Sequence, residues 1–166
     1  MNPAEYPEKS GAGVRFEVGS VDEGRAALDH FNGFHDGFIR RIEIASRDRF
    51  EEVGVQTADG VYDVTLDFAH YNYRHGDEPF HAVDQIVEAR FSDVEDIHLD
   101  LAREYLGSSI TAVFIEAQQR RRSLLPETEK CLALLWGRHR YVEGEQTYEF
   151  RKERLFTFTR ALFFER

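Results

Sequence analysis

Two groups of residues in this 166-residue chain have side chains that could do chemistry. The first is His35-Asp36, in the stretch FHDGFIRRIEI (34–44). A carboxylate beside an imidazole can orient it as a general base or a metal ligand. The same residues also suit a plain structural role, in which Asp36 and Gly37 turn the chain in an Asx-type turn, His35 hydrogen-bonds locally, and Phe34 and Phe38 enter the core. The structural reading is the favoured one, since the chain must reverse here whatever the function. The second group is the loop HYNYRHGDEPFHAVD (70–84), which collects His70, His75 and His81, Tyr71 and Tyr73, and the carboxylates Asp77 and Glu78. Imidazoles and carboxylates ligate divalent metals, and tyrosines on a loop make good contacts for a partner. The spacings match no known metal cage, so the loop reads first as polar surface and, if the chain recognises anything, as its recognition surface.

These residues need elements to hold them. Ser20 with Glu23 forms a capping box, Asp22 adds favourable charge, and Ala27, Leu28, Phe31 and Phe34 recur at helical spacing, so one helix is expected over residues 21–32. Most of the remainder alternates with period two. In VYDVTLDFAHY, Tyr62, Val64, Leu66 and Phe68 form one face, and Asp63, Thr65 and Asp67 a wet one. Similar alternation over 38–45, 86–91, 97–101, 110–116, 131–136, 148–150 and 155–163 is punctuated by turn signals such as Gly76-Asp77-Glu78-Pro79 and Gly107-Ser108-Ser109. The segment AVFIEAQQRRRSLL (112–125) suits a strand or a helix. The fold class expected is mainly β (α+β): a single antiparallel domain over residues 13–166, curled or folded into a sandwich, with one N-terminal helix and a loose arm at 1–12.

Composition narrows the function. With 31 acidic and 21 basic residues the net charge is −10, which works against nucleic acid and anionic membranes as partners. Arg120-Arg121-Arg122, the one basic cluster, reads as a solvated loop end, and Cys131, the single cysteine, as a buried inert thiol. The opening thirteen residues lack an apolar core, and no run of 18 apolar residues exists, so a cytoplasmic protein without a membrane segment is expected. Glycine-rich phosphate loops, HExxH, GxSxG and paired cysteines are all missing, so no metal and no cofactor is implied. The apolar tail RLFTFTRALFFER (154–166) is either an internal strand or an edge whose aromatic face a second subunit covers, and a homodimer is one expectation.

The His-Asp-Gly turn before a short strand, followed by YDVTLDF (62–68) and by VEARFSDVEDIHL (87–99), resembles small bacterial β-rich proteins of unknown function, some classed as immunity proteins of polymorphic toxin systems. Over residues 34–101 this resemblance implies a non-enzymatic protein that binds another protein. Expected function is therefore binding by surface complementarity, through His35, Asp36, His70, Tyr71, Tyr73, His75 and His81. The alternative is a metal-dependent or acid–base enzyme that acts on a small molecule through the histidines of 70–81 with His35 and Asp36.

Overall fold

A computed structural model describes residues 14–50, 56–57, 60–71, 84–98, 110–121, 128–142 and 144–166. The expected N-terminal arm, the turns at 76–79 and 107–109, and Tyr73, His75 and His81 lie outside the described residues.

Helix α1 (Val21–His30) starts where the capping residues place it. The Ser20 side chain accepts from the Glu23 N–H at 3.3 Å, and the Glu23 carboxylate accepts from the Gly19 N–H at 2.8 Å. It ends two residues earlier than the expected bound of 32, and the apolar spacing continues through a short 3₁₀ turn (Asn32–Phe34).

The strands form one five-stranded antiparallel sheet and one three-stranded antiparallel sheet. Chain order runs β1 (Arg15–Val18), β2 (Phe38–Ser46), β3 (Arg49–Phe50), β4 (Gln56–Thr57), β5 (Tyr62–Tyr71), β6 (Asp84–Val94), β7 (Ala112–Arg121), β8 (Thr128–Val142), β9 (Thr147–Phe158) and β10 (Arg160–Glu165). The large sheet has the order β1-β10-β6-β5-β2, the small one β7-β8-β9, and β3 pairs with β4 as a minimal ribbon. The ambiguous segment beginning at Ala112 is thus a strand through Arg121, whose apolar Val113 and Ile115 alternate with Phe114 and Glu116.

Mainly β with one helix is the architecture seen, and the two sheets share one core. Val64, Leu66, Phe68, Val87, Ala89, Phe91 and Phe163 of the large sheet meet Leu132, Leu134, Trp136, Phe156 and Phe158 of the small one. Phe91 stands edge-on to Phe156 and Phe158 at 4.9 and 5.0 Å. Helix α1 lies beside β7 so closely that a Cβ on Gly24 would sit 2.9 Å from the Ile115 side chain. At one corner the sheets are stitched together, because Glu95, just past β6, exchanges both backbone hydrogen bonds with Thr157 of β9. The aromatic tail is divided between the sheets: β10 lies between β1 and β6, with Phe163 fully buried, whereas residues 154–158 end β9, the outer strand of the small sheet.

Candidate functional site

The His35-Asp36 turn is built by an unusual backbone. Asn32, Gly33 and Phe34 have φ of 52°, 58° and 55°, and Asp36 has 60°, so the chain leaves α1 through a left-handed turn closed by i→i+3 hydrogen bonds. Each non-glycine residue there carries a steric cost. What offsets it is Phe34, fully buried, which stacks on Phe31 at 5.4 Å and on Phe68 at 4.2 Å. The Asp36 N–H donates to the Ile110 carbonyl at 2.9 Å, and the Ile110 N–H donates to the Gly37 carbonyl at 2.7 Å, which ties the turn to the approach of β7. Left-handed geometry thus falls on Asp36, whereas Gly37 has no positive φ.

His35 and Asp36 stand half exposed above this anchor, with His35 Nδ1 3.1 Å from Asp36 Oδ2. That contact orients the ring. The β2–β5 register, with Phe38 opposite Ala69, brings the turn to the same end of the sheet as His70 and Tyr71, the last residues of β5. Among the described residues no group of three or more His, Cys, Asp or Glu is placed to hold a metal ion. Phe38 departs from expectation. It is 40% exposed, because Ile39 takes the inward position and a bulge at Arg40 then shifts the strand by one residue.

The face of β5 expected to be wet is partly buried. Arg41, Asp67 and Glu88 lie opposite one another across β2, β5 and β6. Arg41 Nε donates to Asp67 at 2.8 Å and Arg90 Nε to Glu88 at 2.6 Å, while Arg166 reaches both carboxylates. Asp67 and Glu88 are both buried and invite an acid–base reading, yet arginines hold both of them, and the cluster works as an ionic clamp over three strands.

A second clamp lies at the corner between the sheets. Arg120 is not at a solvated loop end: its side chain is 2% exposed on β7. Its Nε lies 3.1 Å from Glu129 and 3.7 Å from Glu95, and its Nη1 donates to the Asp93 carbonyl at 2.7 Å. Arg121 shares the strand, and Arg122 lies outside the described residues. Cys131 is buried nearby, and desolvation pushes its thiol pKa up, which opposes thiolate chemistry.

Asp93 joins the same corner by accepting from the Thr159 hydroxyl at 2.6 Å and by pairing with Arg47, which also holds Asp63. The Thr159 hydrogen bond first, and Arg47 next, hold the Asp93 carboxyl below its ordinary 3.8. A depressed folded-state pKa contributes stability above 3.8 that is lost as pH falls through the lower folded value. Urea melts of wild type and Asp93→Asn should therefore differ most near neutral pH and converge below about pH 4. A difference that does not change with pH would refute this assignment.

Sequence reasoning missed where the exposed apolar groups gather. Among the described residues the large exposed hydrophobics are Phe38 (40%), Ile44 (42%), Tyr148 (70%) and Phe150 (42%), and all four stand on β2 and β9, each at an outer edge of its sheet. A signal was present in TYEF (147–150), where aromatics alternate with polar residues beside the Gly144-Glu145-Gln146 turn. Period two alone did not say that, among the described residues, no further strand covers these edges. No helix among the described residues is long and apolar enough to cross a membrane. Comparison with protein-family models, with curated proteins and with solved structures finds no match.

Proposed function

We propose that this protein is a non-catalytic binding domain, of the kind represented by immunity proteins of toxin systems, and that it takes its protein partner on the β2 edge. The observation that carries this reading is the nine-residue edge strand itself. It leaves Phe38 and Ile44 exposed at its two ends, beside Arg40 and Arg41. A strand or loop laid along the regular part of this edge, residues 41–46 beyond the bulge, gains backbone hydrogen bonds with Ile44 as an apolar anchor, and Phe38 offers a second apolar contact before the bulge. A net charge of −10 would steer a basic partner towards the domain. The buried charges Asp67, Glu88 and Arg120 are tied into the two clamps, which supports binding over turnover. The acid–base or metal-dependent reading rests on one geometric fact, the 3.1 Å His35–Asp36 contact at the sheet end that carries His70 and Tyr71.

One experiment separates the two. Tagged wild type, Ile44→Lys and His35→Ala are used to capture partners from a lysate of the source cells, and cross-links are mapped by mass spectrometry. The expected result is a stoichiometric protein cross-linked along β2 and depleted about tenfold or more by Ile44→Lys. Retention by Ile44→Lys with loss in His35→Ala would move the site to the turn and overturn the β2 assignment.

A further inference from the structure

The small sheet loses a strand halfway along its length. β7 begins at Ala112, opposite Gly137, so among the described residues 138–142 of β8 and 147–151 of β9 pair only with each other. Two-stranded ribbons are marginally stable in water. This one also presents an aromatic side chain in fixed orientation. The Phe150 ring lies 6.2 Å from Phe114 and 5.3 Å from His139, packed over Gly137, where a Cβ would come within 2.6 Å of it. Residues Thr147 to Lys152 are all exposed.

We propose that the outer edge of β9 is where a second copy of this chain docks, antiparallel, with Phe150 at a two-fold axis normal to the sheet. The charge pattern selects both occupant and register. Arg151 Nη2 and Nε already lie 2.7 and 2.9 Å from the Glu149 carboxylate on the same face of the ribbon. Centring the pair on Phe150 sets each Glu149 opposite the partner's Arg151, which makes a four-charge square of alternating sign beside two apposed phenylalanines. Centring on Glu149 or on Arg151 would instead place like charges directly opposite, which is destabilising. The edge therefore complements itself in one register of the three. β2 is less suited to this, because its bulge at Arg40 interrupts regular pairing and Arg41 is committed to Asp67. This inference does not depend on the identity of any partner bound at β2.

Sedimentation velocity of the full chain over a wide concentration range, at low salt, tests it. Wild type should show a concentration-dependent dimer. Glu149→Arg alone and Arg151→Glu alone should each weaken it about tenfold or more, because each places like charges opposite at two positions. The double swap Glu149→Arg/Arg151→Glu should restore it, since every pair is again of opposite sign. Circular dichroism melts confirm that each variant is folded. A wild type that stays monomeric at all concentrations overturns the proposal. So does a dimer indifferent to both single reversals, or one that the double swap fails to restore.

Discussion

Phe34→Ala should cost about 3 to 5 kcal/mol of folding stability, the range for removing a fully buried aromatic ring. In a chain of this length that corresponds to a melting temperature lower by roughly 6 to 20 °C. The expectation follows from the backbone as much as from the ring. Asn32, Gly33, Phe34 and Asp36 all occupy the left-handed region, and the stack of Phe34 between Phe31 and Phe68 offsets that cost. Without the ring, only the backbone hydrogen bonds of the turn and those to Ile110 reward the geometry. Its neighbours should behave differently. Asp36→Ala should lose about 1 kcal/mol, because alanine tolerates φ of +60° less well than aspartate, and Asp36→Gly should recover that loss. His35→Ala, half exposed, should stay within about 0.5 kcal/mol of wild type. Denaturant melts of the four variants check the ranking. If Asp36→Gly is as unstable as Asp36→Ala, the backbone explanation fails and the carboxylate itself is what the fold needs.

Arg120→Met should cost about 3 kcal/mol. Methionine fills similar volume, so the loss reports charge and hydrogen bonding more than a cavity. It would leave Glu95 and Glu129 facing each other without their shared cation, and the Asp93 carbonyl without its donor at the corner where the sheets join. The expected value lies at the lower end for a broken buried pair, because Glu129 is partly exposed and can be rehydrated. Adding Glu95→Gln and Glu129→Gln to Arg120→Met should recover part of the loss, since no unpaired charge then remains. Guanidinium melts of the single and triple variants decide it. A single variant within about 0.5 kcal/mol of wild type would mean that Arg120 is a bystander.

Local patterning was enough for the elements. Ser20 and Glu23 mark the start of α1 because a capping box satisfies backbone donors within four residues, and the alternation from Tyr62 to Phe68 marks β5 because a pleated strand sends successive side chains to opposite faces. The His-Asp turn was visible for the same local reason. Its left-handed backbone was not, because the docking of Phe34 into the core and the hydrogen bonds to Ile110 are what make those dihedrals worth adopting.

Period two separates the two faces of a strand without saying what covers either. Asp67 read as the wet face of a strand and Arg120 as a solvated loop end, and both are buried, Asp67 by a row that runs from Arg41 to Glu88 and Arg120 by contacts to residues 25 and 27 positions away. Phe38 read as core and is exposed because of a bulge, and Phe150, in a stretch read only as alternating, is exposed because β7 starts too late to cover the ribbon. The last part of the tail, β10, became an internal strand through pairings such as Arg15 with Phe164, between opposite ends of the chain. Composition and short-range spacing therefore determined which segments are helix or strand. Only the tertiary structure decided which faces are covered, because burial depends on neighbours that are distant in sequence and that no local pattern encodes.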